Sequence, residues 1–504
     1  MGSLKQNTSG NIGKSAIISY ISIFLNIIIS FFYTPWMMHK IGVSDYGLYH
    51  LVIAFVSYFI MDFGLNSSVT RFIAKYRAED NYLKIRQILG LTLKVFIAID
   101  LVILITLFIC YFFIGSIFGG LTPEEIEKVK VLFVIAGVFS ALTFVLKPLD
   151  GALNAFELFV PNKIIDLVQR VGVVLLVIAC LLLGGNVYHL VLINCAGAFV
   201  CSLTKYIVFS KKTQLSIAWS YNSKNDLKEI FSFSGWIFLQ SLAMRFRLTF
   251  IPTILGILSN SAQIAVFSLG ATLESLIWSL SAALNGLFLP KVSKMSYDGN
   301  REVLQQLLIK VGRIQLIIIF LIYSGFVTIG APFIELWAGN EFGDVYYIVL
   351  ALTFSYIIGN TTQIASDLVM AENKVRYTTT ITFITSAFGL IGSFVVAGRS
   401  GALGCAIFSG LALVVNQLFY FPVYQRKLGL DMKRFLKECH LKILPVLLLY
   451  ATLFFIVTKL FAINNWIILI AAGAIYTILY LTIVYFFLLN NVEKELITSI
   501  IRKR

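Results

Sequence analysis

Charge is scarce in this chain. Asp, Glu, Lys and Arg together make up 13% of its 504 residues, against 59% apolar residues. So little polar surface cannot coat a soluble globule of this size, and a soluble class is excluded. Cysteine is also scarce. Cys110, Cys180, Cys195, Cys201, Cys405 and Cys439 are scattered, mostly inside apolar runs, without paired or metal-ligand spacing. They imply neither a disulfide framework nor a metal site. The histidines His39, His50, His189 and His440 form no cluster and are assigned no role. No segment between the apolar runs is long enough for a soluble catalytic domain, and no catalytic residue is expected. A nucleotide motif is missing as well. Gly13-Lys14-Ser15 echoes the end of a phosphate-binding loop, but Thr8 stands where its first glycine belongs and an apolar run follows. Direct drive by ATP is not expected, and no cofactor is implied.

What the chain has in abundance is apolar stretches of bilayer length. A helical span needs roughly 20 such residues. Fourteen runs qualify: about 15–37, 45–65, 88–113, 128–148, 163–184, 187–210, 231–257, 261–289, 312–332, 345–370, 376–397, 401–425, 441–462 and 465–489. The first is too long for a signal-peptide core and reads as an uncleaved span. The fold class is therefore an all-α polytopic membrane protein with about fourteen transmembrane helices.

The net charge of +15 does not point to nucleic acid, because the basic residues sit in short segments between runs. One such segment holds Arg71, Lys75, Arg77, Lys84 and Arg86. Another holds Lys291, Lys294, Arg301, Lys310 and Arg313, and a third holds Arg426, Lys427, Lys433, Arg434, Lys437 and Lys442. Intervening loops are neutral or acidic, as at Pro123-Glu124-Glu125 and Glu341 to Asp344. The bias places both termini in the cytoplasm and agrees with an even number of spans. The stretch 66–87 reads as an amphipathic cytoplasmic extension.

A shift of about 215 residues superposes 15 on 230, 45 on 260 and 88 on 303. Glu157 precedes Lys211 by the same interval as Glu372 precedes Arg426. The implied organisation is an N-terminal six-helix lobe (1–210), a cytoplasmic linker (211–229), a pseudo-symmetric second lobe (230–428), and two extra helices with a tail (429–504). In transporters built on such repeats the substrate site lies between them near the membrane midplane.

Polar residues inside the runs mark candidate linings. Ser15, Ser19, Ser22, Asn26, Ser30 and Tyr33 keep helical period along the first run. Under the repeat shift that stripe falls on Ser234, Ser241 and Arg245, so Arg245 occupies the place of Ser30. Charge at this depth is costly unless it faces a partner or a wet cavity. Two readings of Arg245 stand: an ion pair, with Glu274 as partner, or contact with an anionic substrate. Arg247 lies about 200° round the helix and cannot point the same way; for it the structural reading weighs more. Glu274, Trp278, Ser281 and Asn285 share one face, where Trp278 can stack on a sugar or simply pack. Asn360, Gln363 and Asp367 share another, as a cavity lining or a solvated helix end. Asp100 sits near the middle of the third run. Glu274, Asp100 and Asp367 are candidate ion-coupling groups, and H+ and Na+ are equally open. Asp62 is read as capping or lining, Lys94 and Lys205 as snorkelling, and Asp166 as pairing with Arg170.

Three stretches carry a resemblance to a known family. Asp62-Phe63-Gly64-Leu65 followed by Arg71-Phe72-Ile73-Ala74 is similar to the end of the second helix in bacterial oligosaccharide flippases. Pro332-Phe333-Ile334-Glu335-Leu336-Trp337-Ala338-Gly339, then Glu341-Phe342, is similar to their ninth-to-tenth loop, and Gly42 to Leu48 to their first loop. The chain thus resembles the Wzx-like polysaccharide transporters of the multidrug/oligosaccharidyl-lipid/polysaccharide exporter superfamily. The resemblance implies a non-enzymatic flippase in the bacterial cytoplasmic (inner) membrane. Its substrate would be a polyprenyl-diphosphate-linked oligosaccharide, moved to the external leaflet by alternating access for O-antigen, capsule or similar surface polysaccharide. Membrane lipid, a polysaccharide polymerase and glycosyltransferases are the implied partners. A cationic central cavity is implied too, and Arg245 best meets it. The candidate substrate contacts are then Arg245, Arg247, Ser30, Asn26, Ser241, Trp278, Asn360 and Gln363. Two alternatives remain: a cation-coupled multidrug exporter of the same superfamily, against which the arginines argue mildly, and a membrane-embedded glycosyltransferase or polymerase, which would need a larger external loop or acidic constellation.

Overall fold

In the computed structural model, which describes residues 8–61, 64–281, 288–490 and Lys494, the described chain is almost wholly helical. The first eleven α-helices are α1 (Thr8–Ile41), α2 (Val43–Phe59), α3 (Leu65–Ala78), α4 (Tyr82–Ile117), α5 (Pro123–Phe144), α6 (Pro148–Ala155), α7 (Phe159–Leu182), α8 (Val187–Thr213), α9 (Lys224–Leu248), α10 (Ile251–Leu258) and α11 (Ser261–Ser281). Then follow α12 (Leu289–Tyr297), α13 (Arg301–Trp337), α14 (Gly343–Thr353), α15 (Tyr356–Gly359), α16 (Gln363–Ala371), α17 (Val375–Leu428), α18 (Met432–Phe435), α19 (Lys442–Leu460) and α20 (Trp466–Ile483).

Among the described residues eleven helical stretches are long and apolar enough to cross a membrane, or twelve if the pair Phe238–Leu248 and Ile251–Leu258, bent by 46°, counts as one span. The difference from fourteen has a local cause. The stretch α17 holds two of the expected spans, two helices that meet at a non-helical turn at Gly401 (φ 52°, ψ −141°) and so count as one. A Cβ there would come within 2.2 Å of the Gln263 side chain, so only glycine fits. Its two limbs lie against one another, with Asn416 Nδ2 donating to Thr385 Oγ1 at 2.9 Å and Ser393 Oγ donating to the Cys405 carbonyl at 3.3 Å. The second expected span forms as α2, with 17 residues.

The chain divides into two compact units, residues 1–268 with 394–401, and residues 269–393 with 402–504. The repeat-based lobes and these packing-based units are different partitions. The reason is visible inside the first unit: α10 and the start of α11 pack on α2. Gly47 comes so close to the Ser261 carbonyl that a Cβ would lie 2.1 Å from it. Glu125, in the first turn of α5, accepts from Ser44 at 2.6 Å and from Ser261 at 2.5 Å.

The repeat itself reappears in matched local structures within each unit. Asn81 caps α4 by accepting from Lys84 N, and Asn300 caps α13 by accepting from Val303 N. Each cap follows a left-handed residue, Asp80 and Gly299. Before α7 and before α17 the chain turns through Glu157 (φ 59°) and Asn373 (φ 54°). Beside those turns Glu157 pairs with Arg77 at 3.6 Å, and Glu372 pairs with Arg301 at 2.6 Å. The helices α3 and α12 pack on α6 and α16 respectively. The extension expected at 66–87 is α3, which buries Val69, Phe72 and Ile73. Val69 and Ile73 share their core with Leu149, Leu153 and Phe209.

Two sequence expectations fail in the first unit. Lys205 does not snorkel. Its side chain is 10% exposed and its ammonium lies 2.6 Å from Asp150 Oδ1 and 2.7 Å from Asp166 Oδ1. Asp166 therefore pairs across helices with Lys205 rather than along its own helix with Arg170. Packing of α7 on α8 brings the lysine closer than the exposed arginine. Lys94 does reach polar groups, donating to the Tyr221 carbonyl and to Asn222 Oδ1, both at 3.1 Å.

Candidate substrate site

The break between α9 and α10 creates the most polar intramembrane spot on the first unit's seventh run. Pro252 has no N–H, so the helix cannot continue its ladder through it, and α9 ends at Leu248. Breaking a helix leaves carbonyls without intrahelical donors, and in an apolar setting each needs another one. Tyr58 of α2 supplies one: its hydroxyl donates to the Thr249 carbonyl at 2.9 Å and lies 2.6 Å from Thr253 Oγ1. The Tyr58 ring stacks on Phe250 at 4.1 Å, interplanar 10°, which holds the hydroxyl in place.

Arg245 lies one turn before this break. Its Nη1 donates to Ser57 Oγ at 2.9 Å. The guanidinium is half-buried. The cluster of Arg245, Ser57, Tyr58, Thr249 and Thr253 thus unites a fixed cation with hydroxyls at a discontinuous helix. Ser57 and Tyr58 were not selected from sequence. They sit on another helix, 188 residues from Arg245 in the case of Ser57, and no periodicity of their own flags them. Arg247 is separate, with Nη1 3.4 Å from Met244 Sδ. Ser241 on α9, and Asn26 and Ser30 on α1, are half-buried. The Ser15 and Ser19 side chains, like Asp62 and Asn285, lie outside the described residues.

In the second unit Glu274 is 6% exposed and accepts a hydrogen bond from the Tyr356 hydroxyl. Trp278 packs on the same tyrosine at 5.2 Å between ring centroids and keeps 41% of its surface open. An aromatic face beside a hydroxyl and carboxylate is suited to a sugar ring. Gln363 Nε2 donates to Asp367 Oδ1 at 2.9 Å. Asn360 and Asp367 are buried, so the solvated-helix-end reading does not hold for them. Asn360 Nδ2 and Asp367 Oδ2 have no hydrogen-bond partner among the described residues, and neither does Asp100 Oδ1 in the first unit. Unmet buried polar atoms are costly and call for a ligand, proton or water. Among the described residues no group of three or more His, Cys, Asp or Glu could hold a metal.

Comparison with known proteins places this geometry. The profile of a family described as "Polysaccharide biosynthesis protein" matches residues 12–296. The membrane protein EpsK of Bacillus subtilis (strain 168) is 22% identical over 502 residues, covering 95% of this chain and 96% of that one. Among solved structures, the lipid II flippase MurJ in an inward closed conformation superposes with a TM-score of 0.68 at 14% identity, over 95% of this chain and 98% of MurJ. A multidrug-resistance transporter of the MATE family, inward-facing, superposes with a TM-score of 0.61 at 16% identity, over 80% of this chain and 98% of that one. The fold is that of polytopic helical transporters of the flippase and MATE type.

Proposed function

Because the chain belongs to the polysaccharide biosynthesis protein family, we propose that it is a flippase for a polyprenyl-diphosphate-linked oligosaccharide. It carries this lipid from the cytoplasmic to the external leaflet of a bacterial cytoplasmic membrane by alternating access, with both termini cytoplasmic. The observation that carries the reading is a guanidinium at a broken membrane helix, the arrangement in which transporters bind charged substrates. A diphosphate cannot enter hydrocarbon bare, and Arg245 with the hydroxyls of Ser57, Tyr58 and Thr253 offers it charge-assisted hydrogen bonds in place of water. Asn26, Ser30 and Ser241 are further candidate contacts on the first unit, and Arg247, which stands apart from the cluster, is a separate candidate. On the second unit Trp278, Asn360 and Gln363 are candidate sugar contacts of their own, and the polyprenyl tail stays in lipid.

Such a flippase performs no bond chemistry and works between glycosyltransferases that build the glycan and a polymerase that extends it into O-antigen, capsule or a similar polymer. Coupling to H+ or Na+ is assigned to Asp100 and Asp367, since a proton or ion on a buried carboxyl with an unmet oxygen relieves its cost, and to Glu274 on its burial alone. In a cell whose surface glycan depends on this chain, Arg245→Ala should abolish external glycan at matched membrane expression. Normal glycan export by that variant would sink the proposed role of Arg245.

A second reading, a cation-coupled multidrug exporter, is favoured by the superposition on MATE transporters. It predicts altered drug susceptibility when the gene is removed. Glycan loss with an unchanged susceptibility panel decides against it.

A further inference from the structure

The stretch Pro332 to Gly339, which carries part of the family resemblance, borders a cavity that the substrate pathway above does not use. This cavity in the second unit has a volume of about 370 Å³. Its polar lining comes from Glu335 on α13, Tyr346 and Tyr347 on α14, Thr458 and Lys459 on α19, and Asn464 in the following loop.

The cavity has a covalent origin. Pro332 lies inside α13 and cannot donate to the carbonyl four residues back. That carbonyl, of Thr328, lies 3.4 Å from Thr458 Oγ1, whose single proton also has the Phe455 carbonyl of its own helix at 2.8 Å. The neighbouring Val327 carbonyl accepts from the Tyr346 hydroxyl at 2.8 Å. Tyr346 is fixed further by stacking on Phe326, with ring centroids 5.7 Å apart. Two hydroxyls from other helices therefore reach into the gap that the proline opens.

The remaining polar groups are available. Tyr347 is 55% exposed. Glu335, Lys459 and Asn464 are exposed, and neither Glu335 nor Lys459 forms an ion pair among the described residues. The Lys459 ammonium lies 5.3 Å from the centre of the Phe455 ring. One carboxylate and one ammonium give the lining no net charge, which disfavours a phosphate. Its hydroxyls and amide disfavour an acyl chain. An open tyrosine ring flanked by acceptors and donors suits a molecule with apolar C–H faces and a hydroxyl rim. The volume falls in the small-molecule range of roughly 300–1,000 Å³.

We propose that this cavity is a saccharide subsite for a neutral or N-acetylated hexose, placed by the charge bias at the external end of the second unit. This deepens and rests on the flippase reading: the subsite receives the glycan as it leaves.

The test is saturation-transfer NMR on the detergent-solubilised full chain. The probes are free glucose, galactose, N-acetylglucosamine and N-acetylgalactosamine. The wild type should transfer magnetisation to ring protons of at least one sugar. Tyr347→Ala should lower that signal at least fivefold, and Tyr347→Phe should keep it. Tyr297→Ala, at a residue 94% exposed elsewhere, should leave it unchanged. If Tyr347→Ala proves unfolded by thermal melting, Glu335→Gln serves in its place and should weaken the signal. Absence of transfer to every sugar in the wild type, or full transfer in the folded lining variants, overturns the subsite. Loss of glycan export in Arg245→Ala without sugar transfer retires the subsite alone. Sugar transfer with normal export in Arg245→Ala retires the assigned arginine and leaves the subsite standing.

Discussion

Lys205→Met is the sharpest test of how this fold handles buried charge. The lysine ammonium sits between Asp150 and Asp166 at 2.6 and 2.7 Å, so the two carboxylate oxygens lie within roughly 5 Å of each other. Methionine keeps the length and apolar stem but removes the charge between them. At an effective dielectric constant near 20, two like charges at that separation repel by about 3 kcal/mol. The aspartates are 36% and 45% exposed, so water screens the repulsion toward the lower figure of about 1 kcal/mol. Loss of two charge-assisted hydrogen bonds adds about 1–2 kcal/mol, giving a total cost of about 2–3 kcal/mol. Asp166→Asn behaves differently. The triad carries a net charge of one carboxylate, and neutralising one aspartate leaves a balanced Lys205–Asp150 pair. That change should cost less than about 1 kcal/mol. Thermal unfolding of the purified protein in detergent at neutral pH should rank wild type, then Asp166→Asn slightly below it, then Lys205→Met clearly lowest. A Lys205→Met protein that melts with the wild type, or above Asp166→Asn, would refute the reasoning.

Two further outcomes follow from other ion and hydrogen-bond clusters. Glu372 has a side chain 12% exposed and accepts from Ser296 while pairing with Arg301 and Lys374. Burial works against its ionised form, but those three partners outweigh it and hold the carboxyl below its usual range. A lowered carboxyl stabilises the fold above its unfolded value of about 4.3 and loses that contribution as pH falls through the folded value. Glu372→Gln should therefore be less stable than wild type at pH 7 by about 1 kcal/mol, with the gap narrowing as pH falls below the ordinary carboxylate range in detergent melts; a gap independent of pH would contradict this. The second outcome concerns the Glu125 carboxylate, which binds Ser44 and Ser261 together. Oxidation of a Ser44→Cys, Ser261→Cys pair, in a background without the native cysteines, should fix α2 to α11. Export should stop and return on reduction; undiminished export by the cross-linked protein would show that these ends need not part.

The fold was largely legible from sequence because one signal dominates it. Apolar runs of bilayer length are hard to counterfeit, and each expected run is helical where described. The count differs because two expected spans meet directly at the turn at Gly401 and the second expected span is a helix of only 17 residues. The repeat was legible as spacing, but its physical content emerged only in three dimensions, as paired asparagine caps and paired Arg–Glu clamps. Local rules misled where tertiary packing supplied a better partner. Asp166 and Arg170 have good helical spacing, yet the lysine on α8 wins because the packing of α7 on α8 sets its ammonium 2.7 Å from the carboxylate while Arg170 stays exposed.

Arg245 shows why the site was only half readable. Its cost in an apolar run makes it conspicuous, and that much needs no structure. What the sequence does not show is that the charge and the helix break belong to one device. Pro252 strips the helix of continuous hydrogen bonding, and the Thr249 carbonyl takes the Tyr58 hydroxyl of α2. The neighbouring Ser57 hydroxyl, which donates to the Ala54 carbonyl on its own helix, accepts from the guanidinium. A chain with the arginine but an unbroken helix would have no reason to gather Tyr58 and Ser57 there. A chain with the break but no arginine would have a polar patch without charge to select an anion. Arg245 and Pro252 lie seven residues apart within one expected span, and under the proposed function the break and the charge act together, offering a charged headgroup protein in place of water.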